Sequence, residues 1–359
     1  MSGLREFINA LEENGFLCRK KYQVDWKYEL GAIARAENKP ILFENIKDYP
    51  GKRIFVNGLS SYASIGLAVG IDSHANNPKS LSKIIRQAFS KPIDPVMIDK
   101  SPLTENKITE QINLTVLPVP WWSEIDAGRY IGTWHLNITR DPESKVRNVG
   151  IYRMQLLGPK IATVSVSPRS HLAEHIKKAE KLGKELPMAV AIGVDERLII
   201  AAAASPAYGV DELALPGGLL GKPVELFRCL TQPLEVPADS EIVIEGYIKP
   251  GIHVQDGPFL DYAGIPNTNP SAYLFEATGL FFRHNCIFRG TAVGNPGAED
   301  HILYSVLAHA GLADFHGSRL RRLIQNFLLK HRAFRLFQYS GRIGSFIRKA
   351  ETRDKLEEK

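Results

Sequence analysis

The sequence predicts an α+β protein: a small N-terminal α/β domain, a β-rich barrel or sandwich, and a basic helix at the C-terminal end. Three observations carry this. Helical periodicity alternates with short apolar runs through the first fifty residues. From Ile131 onward closely spaced β-rich runs dominate, with few helices among them, which favours a closed or packed sheet over a doubly wound one. The charge is also lopsided. The 359 residues carry a net +6, yet 33 basic and 35 acidic residues precede His316, while 12 basic and 4 acidic residues lie from there to the end. A body of net −2 does not offer the clustered positive face that sequence-independent nucleic-acid binding needs, so no nucleic-acid partner is expected.

Taken in order, Leu4, Phe7, Ile8 and Leu11 share one helical face and Gly15 stops the pattern. A strand is expected over 17–24, a helix over 28–37 and a strand over 41–46. The Pro-rich stretch Lys91–Pro120 reads as a linker, which sets an N-terminal domain at 1–100, a β-rich domain at 101–312 and a tail at 313–359. Strands follow at WHLNITR, RNVGIYRMQLLG and IATVSV, then two helices, then EIVIEGYI and the long AYLFEATGLFFRHNCIFRGTAV. In the tail Ser318 is placed to cap a helix ending at Gly341. Its face of Leu320, Leu323, Ile324, Phe327 and Leu328 is expected to dock on the body or on a second subunit, with Arg319, Arg321, Arg322 and Lys330 off that face.

Composition narrows the class. Hydrophobic residues make up 44% of the chain, enough for a real core, but no apolar run approaches the 18 or so residues that span a bilayer. The amphipathic, acidic start is unlike a secretory leader, and Cys18, Cys229 and Cys286 lack CxxC spacing. A cytoplasmic protein without a transmembrane segment, disulfide framework or structural zinc site is therefore expected.

Several familiar motifs fail on spacing. LPGGLLGKP has Pro216 and Pro223 where a phosphate loop needs Gly and Ser or Thr, so it reads as a turn. Neither a GxGxxG nor a GxSxG elbow is present. HLAEH, from His171 to His175, fits the inverted zinc-peptidase pattern with Glu174 as base, but the Lys- and Glu-rich continuation favours His175 and Glu174 as exposed helix groups. The richest constellation is spread over four segments: Asn148 and Arg153, His171, Glu225, and Asp256 and Asp261 flanking a Gly-Pro loop. Five residues apart on one strand, Asn148 and Arg153 would face opposite sides unless a bulge intervenes. Ordinary strand, cap and loop roles remain open for all six.

The segments RNVGIYRMQ, SPRSH, ELPMAVAIGVDERLIIAAAASPAYGVDELALPGGLLGKPVELFRC, ADSEIVIEGYI and QDGPFLDYAG resemble, in order and spacing, the UbiD-type decarboxylases over roughly residues 1–312. That resemblance implies an N-terminal α/β region and a split β-barrel that binds prenylated FMN. It also implies a further C-terminal α/β domain, which is not expected to follow Leu312. Asn148, His171 and Glu225 resemble the family's ligands for a divalent ion, usually Mn2+, that ties the flavin phosphate to the protein, with K+ nearby. Gly150, Ile151, Tyr152, Arg153, Ser170, His171, Ala204, Ser205, Pro206 and Glu225 match cofactor-binding positions.

Arg153 matches the catalytic arginine that holds the substrate carboxylate. Asp256 and Asp261 stand where the family has glutamates, one paired with the arginine and one supplying the proton, and Leu260 stands where glycine is usual. The resemblance thus implies reversible, non-oxidative decarboxylation of an aromatic or α,β-unsaturated carboxylic acid, with a flavin prenyltransferase as cofactor supplier and a homo-oligomeric state. The alternative is a non-catalytic UbiD-like subunit of a decarboxylase complex; a zinc peptidase ranks third.

Overall fold

A computed structural model of the chain describes residues 3–71, 77–294 and 297–312; the tail helix expected after Ser318 lies outside them. The chain opens with α1 (Leu4–Glu13), β1 (Cys18–Lys20), α2 (Glu29–Glu37), β2 (Ile41–Phe43), β3 (Arg53–Val56), α3 (Tyr62–Ala68) and α4 (Pro78–Phe89). Leu4, Phe7, Ile8 and Leu11 are the buried face of α1, as their spacing predicts. The strands expected over 17–24 and 41–46 are shorter: β1 and β2 pair in parallel over three residues, and Val24 meets Ile46 only as an isolated bridge.

Two short strands, β4 (Val96–Met97) and β5 (Asn106–Ile108), lie within the stretch read as a linker. Each is an edge addition, β4 on a later hairpin and β5 on the long central one. Runs of two or three residues between prolines carry no periodicity to read. The chain continues through β6 (Tyr130–Gly132), β7 (His135–Arg140), β8 (Arg147–Gly150), β9 (Met154–Gln155), β10 (Ile161–Val164), α5 (His171–Lys181), β11 (Leu186–Ile192), α6 (Glu196–Ala203) and α7 (Leu215–Leu220). It closes with β12 (Glu225–Arg228), β13 (Glu235–Pro237), β14 (Ile242–Leu260), β15 (Pro266–Phe282), β16 (Ile287–Arg289) and α8 (Glu299–Ala310).

The main sheet runs β10-β15-β14-β11-β7-β8, with β5 added on β15. Both of its faces are covered. On β7, Leu136 and Ile138 join the core built with α1, α4, α6 and α8, while His135, Asn137 and Thr139 are equally buried on the opposite face. On β11, Met188, Val190 and Ile192 belong to the second core, and Ala189 and Ala191 to the first.

The first six residues of LPGGLLGKP form the short helix α7, with the turn confined to its end at Gly221, and its glycines let it sit on the end of α4. A Cβ on Gly218 would lie 2.1 Å from the Ala88 carbonyl oxygen. The sheet of the first region, in turn, takes its fourth strand from far along the chain: its order is β1-β2-β3-β16, and α8 packs on α4. A boundary near residue 100 therefore does not separate two independent sheets. Buried Arg289 fastens the join, donating to Glu196 on α6 at 2.6 Å and to both oxygens of Glu299 on α8 at 2.9 and 2.6 Å. Replacing any one of the three would strand a buried charge.

Candidate active site

Asn148 and Arg153 do not share one strand. β8 ends at Gly150, the chain breaks through Ile151 and Tyr152, and pairing resumes at Met154. Asn137 holds the break by accepting the Tyr152 N–H at 3.0 Å, and a Cβ on Gly150 would come within 2.6 Å of the Tyr152 ring. Ile151 leans on the first core.

Beyond the break, Arg153 donates from Nε to Asp256 Oδ1 at 2.6 Å, with Nη2 2.5 Å from the same oxygen. Its guanidinium lies over the Phe259 ring at 5.3 Å. Asp256 is fully buried, and its other oxygen accepts from the Thr163 hydroxyl at 2.5 Å. The segment expected as a Gly-Pro loop is largely strand: Asp256 sits within β14 opposite Asn269, with register shifts on either side. Those shifts interrupt the alternation that would have marked a strand. Asp261 follows the end of β14, and its Oδ1 accepts from the N–H of Ala263 at 2.9 Å and of Ile265 at 3.2 Å.

One residue that sequence reasoning missed joins these groups. Asn267 accepts from Arg153 Nη2 through its carbonyl at 3.4 Å, and its side-chain amide lies 3.5 Å from Asp261 Oδ2. Leu260 is buried and packs where a Cβ on Gly294 would have to go, 2.6 Å from its Cγ.

A second missed residue is Asp126, whose Oδ1 accepts the Leu260 N–H at 2.8 Å while its Oδ2 is buried without a partner. Burial pushes this carboxyl up to about 6, against the Leu260 hydrogen bond and the charge of Arg35. A carboxyl whose folded pKa lies above its unfolded value binds more protons when folded. Its contribution to stability is therefore present below about pH 4 and is lost as pH rises toward 6. Asp126→Asn is expected to flatten that slope and to gain roughly 2 kcal/mol relative to wild type above pH 6. Urea denaturation at pH 4 and pH 7 measures it, and an equal offset at both would contradict the assignment.

Asn148, His171 and Glu212 form the other half. His171 opens α5, capped by the Ser170 hydroxyl, which accepts from the Ala173 N–H at 3.3 Å. Glu212, almost fully buried, accepts the Val149 N–H at 3.1 Å through Oε2 and holds Oε1 3.9 Å from His171 Nδ1. Asn148 is buried with its Nδ2 lacking a hydrogen-bond partner, and Tyr152 lies beside Asn148, Ser170 and Glu212, its hydroxyl pushed up by burial.

Glu225, expected in this group, is not brought to it. It sits on β12 between buried Val224 and Leu226, so strand alternation turns its side chain to solvent. Glu212, in the DEL that follows Gly209-Val210, takes the place beside His171. Ala204 ends α6 and is buried, while Ser205 is exposed and Pro206 half-buried at the start of the loop leading to Glu212.

The expectation for HLAEH also needs correction. Glu174 is exposed, but His175 is fully buried, its Nδ1 2.9 Å from the Thr139 hydroxyl, and burial holds it down to about 4. The α5 stripe facing the sheet is continuous through His175, so the Lys/Glu pattern around it misleads. Among the described residues no three His, Cys, Asp or Glu side chains gather as a metal site. No helix among them is long and apolar enough to cross a membrane.

Comparisons with known proteins show the family of the chain. Residues 96–296 match the family model of the 3-octaprenyl-4-hydroxybenzoate carboxy-lyase Rift-related domain (UbiD), and residues 8–84 match the corresponding N-terminal domain. A pyrrole-2-carboxylic acid decarboxylase of Pseudomonas aeruginosa is 31% identical over 326 residues, covering 86% of this chain and 65% of that protein. A phenolic acid decarboxylase of Bacillus subtilis is 30% identical over 306 residues, covering 82% and 64%. The chain thus spans slightly less than two thirds of the length of the curated relatives it matches. An evolved dimeric form of a UbiD-class enzyme from Pelotomaculum thermopropionicum, solved with prFMN, superposes with a TM-score of 0.80 at 32% identity, covering 86% of this chain and 71% of that one. The closed form of vanillic acid decarboxylase from Sedimentibacter hydroxybenzoicus gives 0.81 at 29% identity, covering 84% and 66%.

Proposed function

Because the chain belongs to the UbiD carboxy-lyase family, we propose that it catalyses reversible, non-oxidative decarboxylation of an aromatic or α,β-unsaturated carboxylic acid with prenylated FMN. The observation that carries this is the pair of half-buried Arg153 with buried Asp256, with Asp261 one residue, Asn267, away. Among the described residues no hydrogen bond uses Arg153 Nη1. The guanidinium therefore keeps a donor edge for a substrate carboxylate while Asp256 fixes its orientation. Asp261, half-exposed and turned by its own backbone contacts, is the group we assign to deliver a proton to the product carbon. Thr163 fixes Asp256, and Phe259 excludes water from the flat face of the guanidinium.

The seven-stranded sheet is read as the family's split β-barrel. The ion-binding donors are Asn148, His171 and Glu212, with Glu212 in place of Glu225. Their fit rests on chemistry: the buried Glu212 carboxylate lies 3.9 Å from the His171 imidazole, beyond hydrogen-bond reach, and accepts the N–H of Val149, the residue next to the Asn148 amide. Such a mixed oxygen and nitrogen set suits Mn2+. The ion would compensate the flavin phosphate, K+ would lie nearby, and the flavin would supply the electron sink for loss of carbon dioxide. Gly150, Ile151, Tyr152, Ser170 and the Ala204-Ser205-Pro206 loop would line the flavin, made available by a prenyltransferase in the cytoplasm, in a homo-oligomer.

Production alongside a flavin prenyltransferase tests this reading. Near-stoichiometric prenylated FMN is expected by visible absorption and mass spectrometry. His171→Ala should lower flavin occupancy at least tenfold, whereas His175→Ala should cost stability yet retain flavin in the folded fraction. Flavin-free wild-type protein, or full occupancy in His171→Ala, would contradict it.

A further inference from the structure

The three proposed ion ligands sit on β8, at the start of α5 and in the loop before α7, and each has a neighbour along the chain engaged in one of two polar clusters. Asn148 follows Arg147, Glu212 follows Asp211, and His171 lies two helical turns before Lys178. Arg147 pairs with Asp211, and its Nη2 donates to Glu235 at 2.9 Å. Lys178 reaches Asp141, in the β7–β8 turn, at 2.5 Å. The Tyr208 hydroxyl donates to that same carboxylate oxygen. The other Asp141 oxygen is filled by the N–H groups of Glu143 at 2.8 Å and Ser144 at 3.1 Å, so this fully buried carboxylate is saturated by four donors.

Tyr208 does more than close the loop from Ser205 to Ala214. Its ring meets His171 edge-on at 5.2 Å and His175 at 6.1 Å, with the Lys178 ammonium 5.7 Å from its centroid. An exposed loop tyrosine thus spans from the buried Asp141 anchor to the imidazole of the proposed ligand. Without these ties, Glu212 would be held only by the Val149 N–H it accepts and by a loop of largely exposed, Gly-containing sequence, SPAYGVD.

Resting on the ion-site reading above, we propose that Tyr208 and Asp211 are positioning residues: with Asp141, Lys178 and Arg147 they form a latch that holds Glu212, His171 and Asn148 at the spacing one divalent ion requires. The latch organises the site before the ion arrives, so its loss should appear as weakened ion affinity. Partners behind metal ligands typically account for 10- to 100-fold in affinity.

The test is titration of the metal-free full chain with Mn2+ alone, followed by the electron paramagnetic resonance of free Mn2+. Tyr208→Ala and Asp211→Asn are expected to weaken binding roughly 10- to 100-fold. Tyr208→Phe, which keeps the ring contact and loses the hydroxyl, should fall between these and wild type, and Asp211→Glu should recover most of the affinity. Melting temperatures of the metal-free variants should stay within a few degrees of wild type. Wild-type affinity in Tyr208→Ala and Asp211→Asn alongside weak binding in His171→Ala would overturn the latch and leave the ion site standing. Wild-type affinity in His171→Ala would overturn the ion site itself. Weakened binding that merely tracks a large fall in melting temperature would also overturn the latch, because general loosening would then explain it.

Discussion

Arg153→Lys is expected to lower turnover roughly 10²- to 10³-fold while leaving flavin bound, the scale seen when one well-placed donor to a reacting group is lost. The arginine uses Nε and Nη2 on Asp256 at 2.6 and 2.5 Å, and its planar fork can still turn another N–H toward substrate. A lysine ammonium is a single compact charge. It can neutralise Asp256 or meet the substrate, but it cannot do both along fixed directions. The fold should survive, because a cation remains beside fully buried Asp256. Arg153→Ala differs: it strands that carboxylate with only Thr163 and is expected to cost about 3 kcal/mol as well as activity. Turnover and flavin absorbance measured on the same samples separate the two effects; a fall of less than about tenfold in Arg153→Lys would remove Arg153 from the carboxylate-binding role.

Asp261→Asn should lower turnover by about 10²- to 10⁴-fold, the range for loss of a general acid. The amide oxygen of Asn can still accept the N–H groups of Ala263 and Ile265, so the turn after β14 is retained. What disappears is the exchangeable proton. Deuterium incorporation at the product carbon in heavy water reads this step directly. Exchange at the wild-type rate in Asp261→Asn would assign the proton to another group, and Asp126, with its buried and unpartnered Oδ2, is the next to replace.

Several elements were legible because one face of each is wet. The α1 pattern of Leu4, Phe7, Ile8 and Leu11 is of this kind, and the structure buries those four residues. β11 is the opposite case. Both faces of LPMAVAI are covered, so period-two alternation is absent and the strand goes unread. Bulges hid the length of β14, whose Asp256 looked like a loop residue. Arg153, Asp256 and His171 stood out through a resemblance to known motifs, which transfers residue identity but not register. Glu212 and Glu225 lie thirteen residues apart in the same matched stretch, and only burial separates them: one faces His171 and the other faces water. Asn267, Thr163 and Asp126 reach the site through pairings distant in sequence, for which a single chain offers no local signal.

The central claim is carboxyl chemistry, and isotope exchange tests it most directly. Protein made with a flavin prenyltransferase would be incubated with 13C-bicarbonate and a panel of pyrrole, phenolic and acrylic acids. The account predicts 13C in the carboxyl group of at least one acid, an exchange that falls roughly 10²- to 10³-fold in Arg153→Lys protein carrying equal flavin. Flavin-loaded wild-type protein that exchanges carbon into none of them, or exchange indifferent to Arg153, would contradict it and favour a non-catalytic subunit.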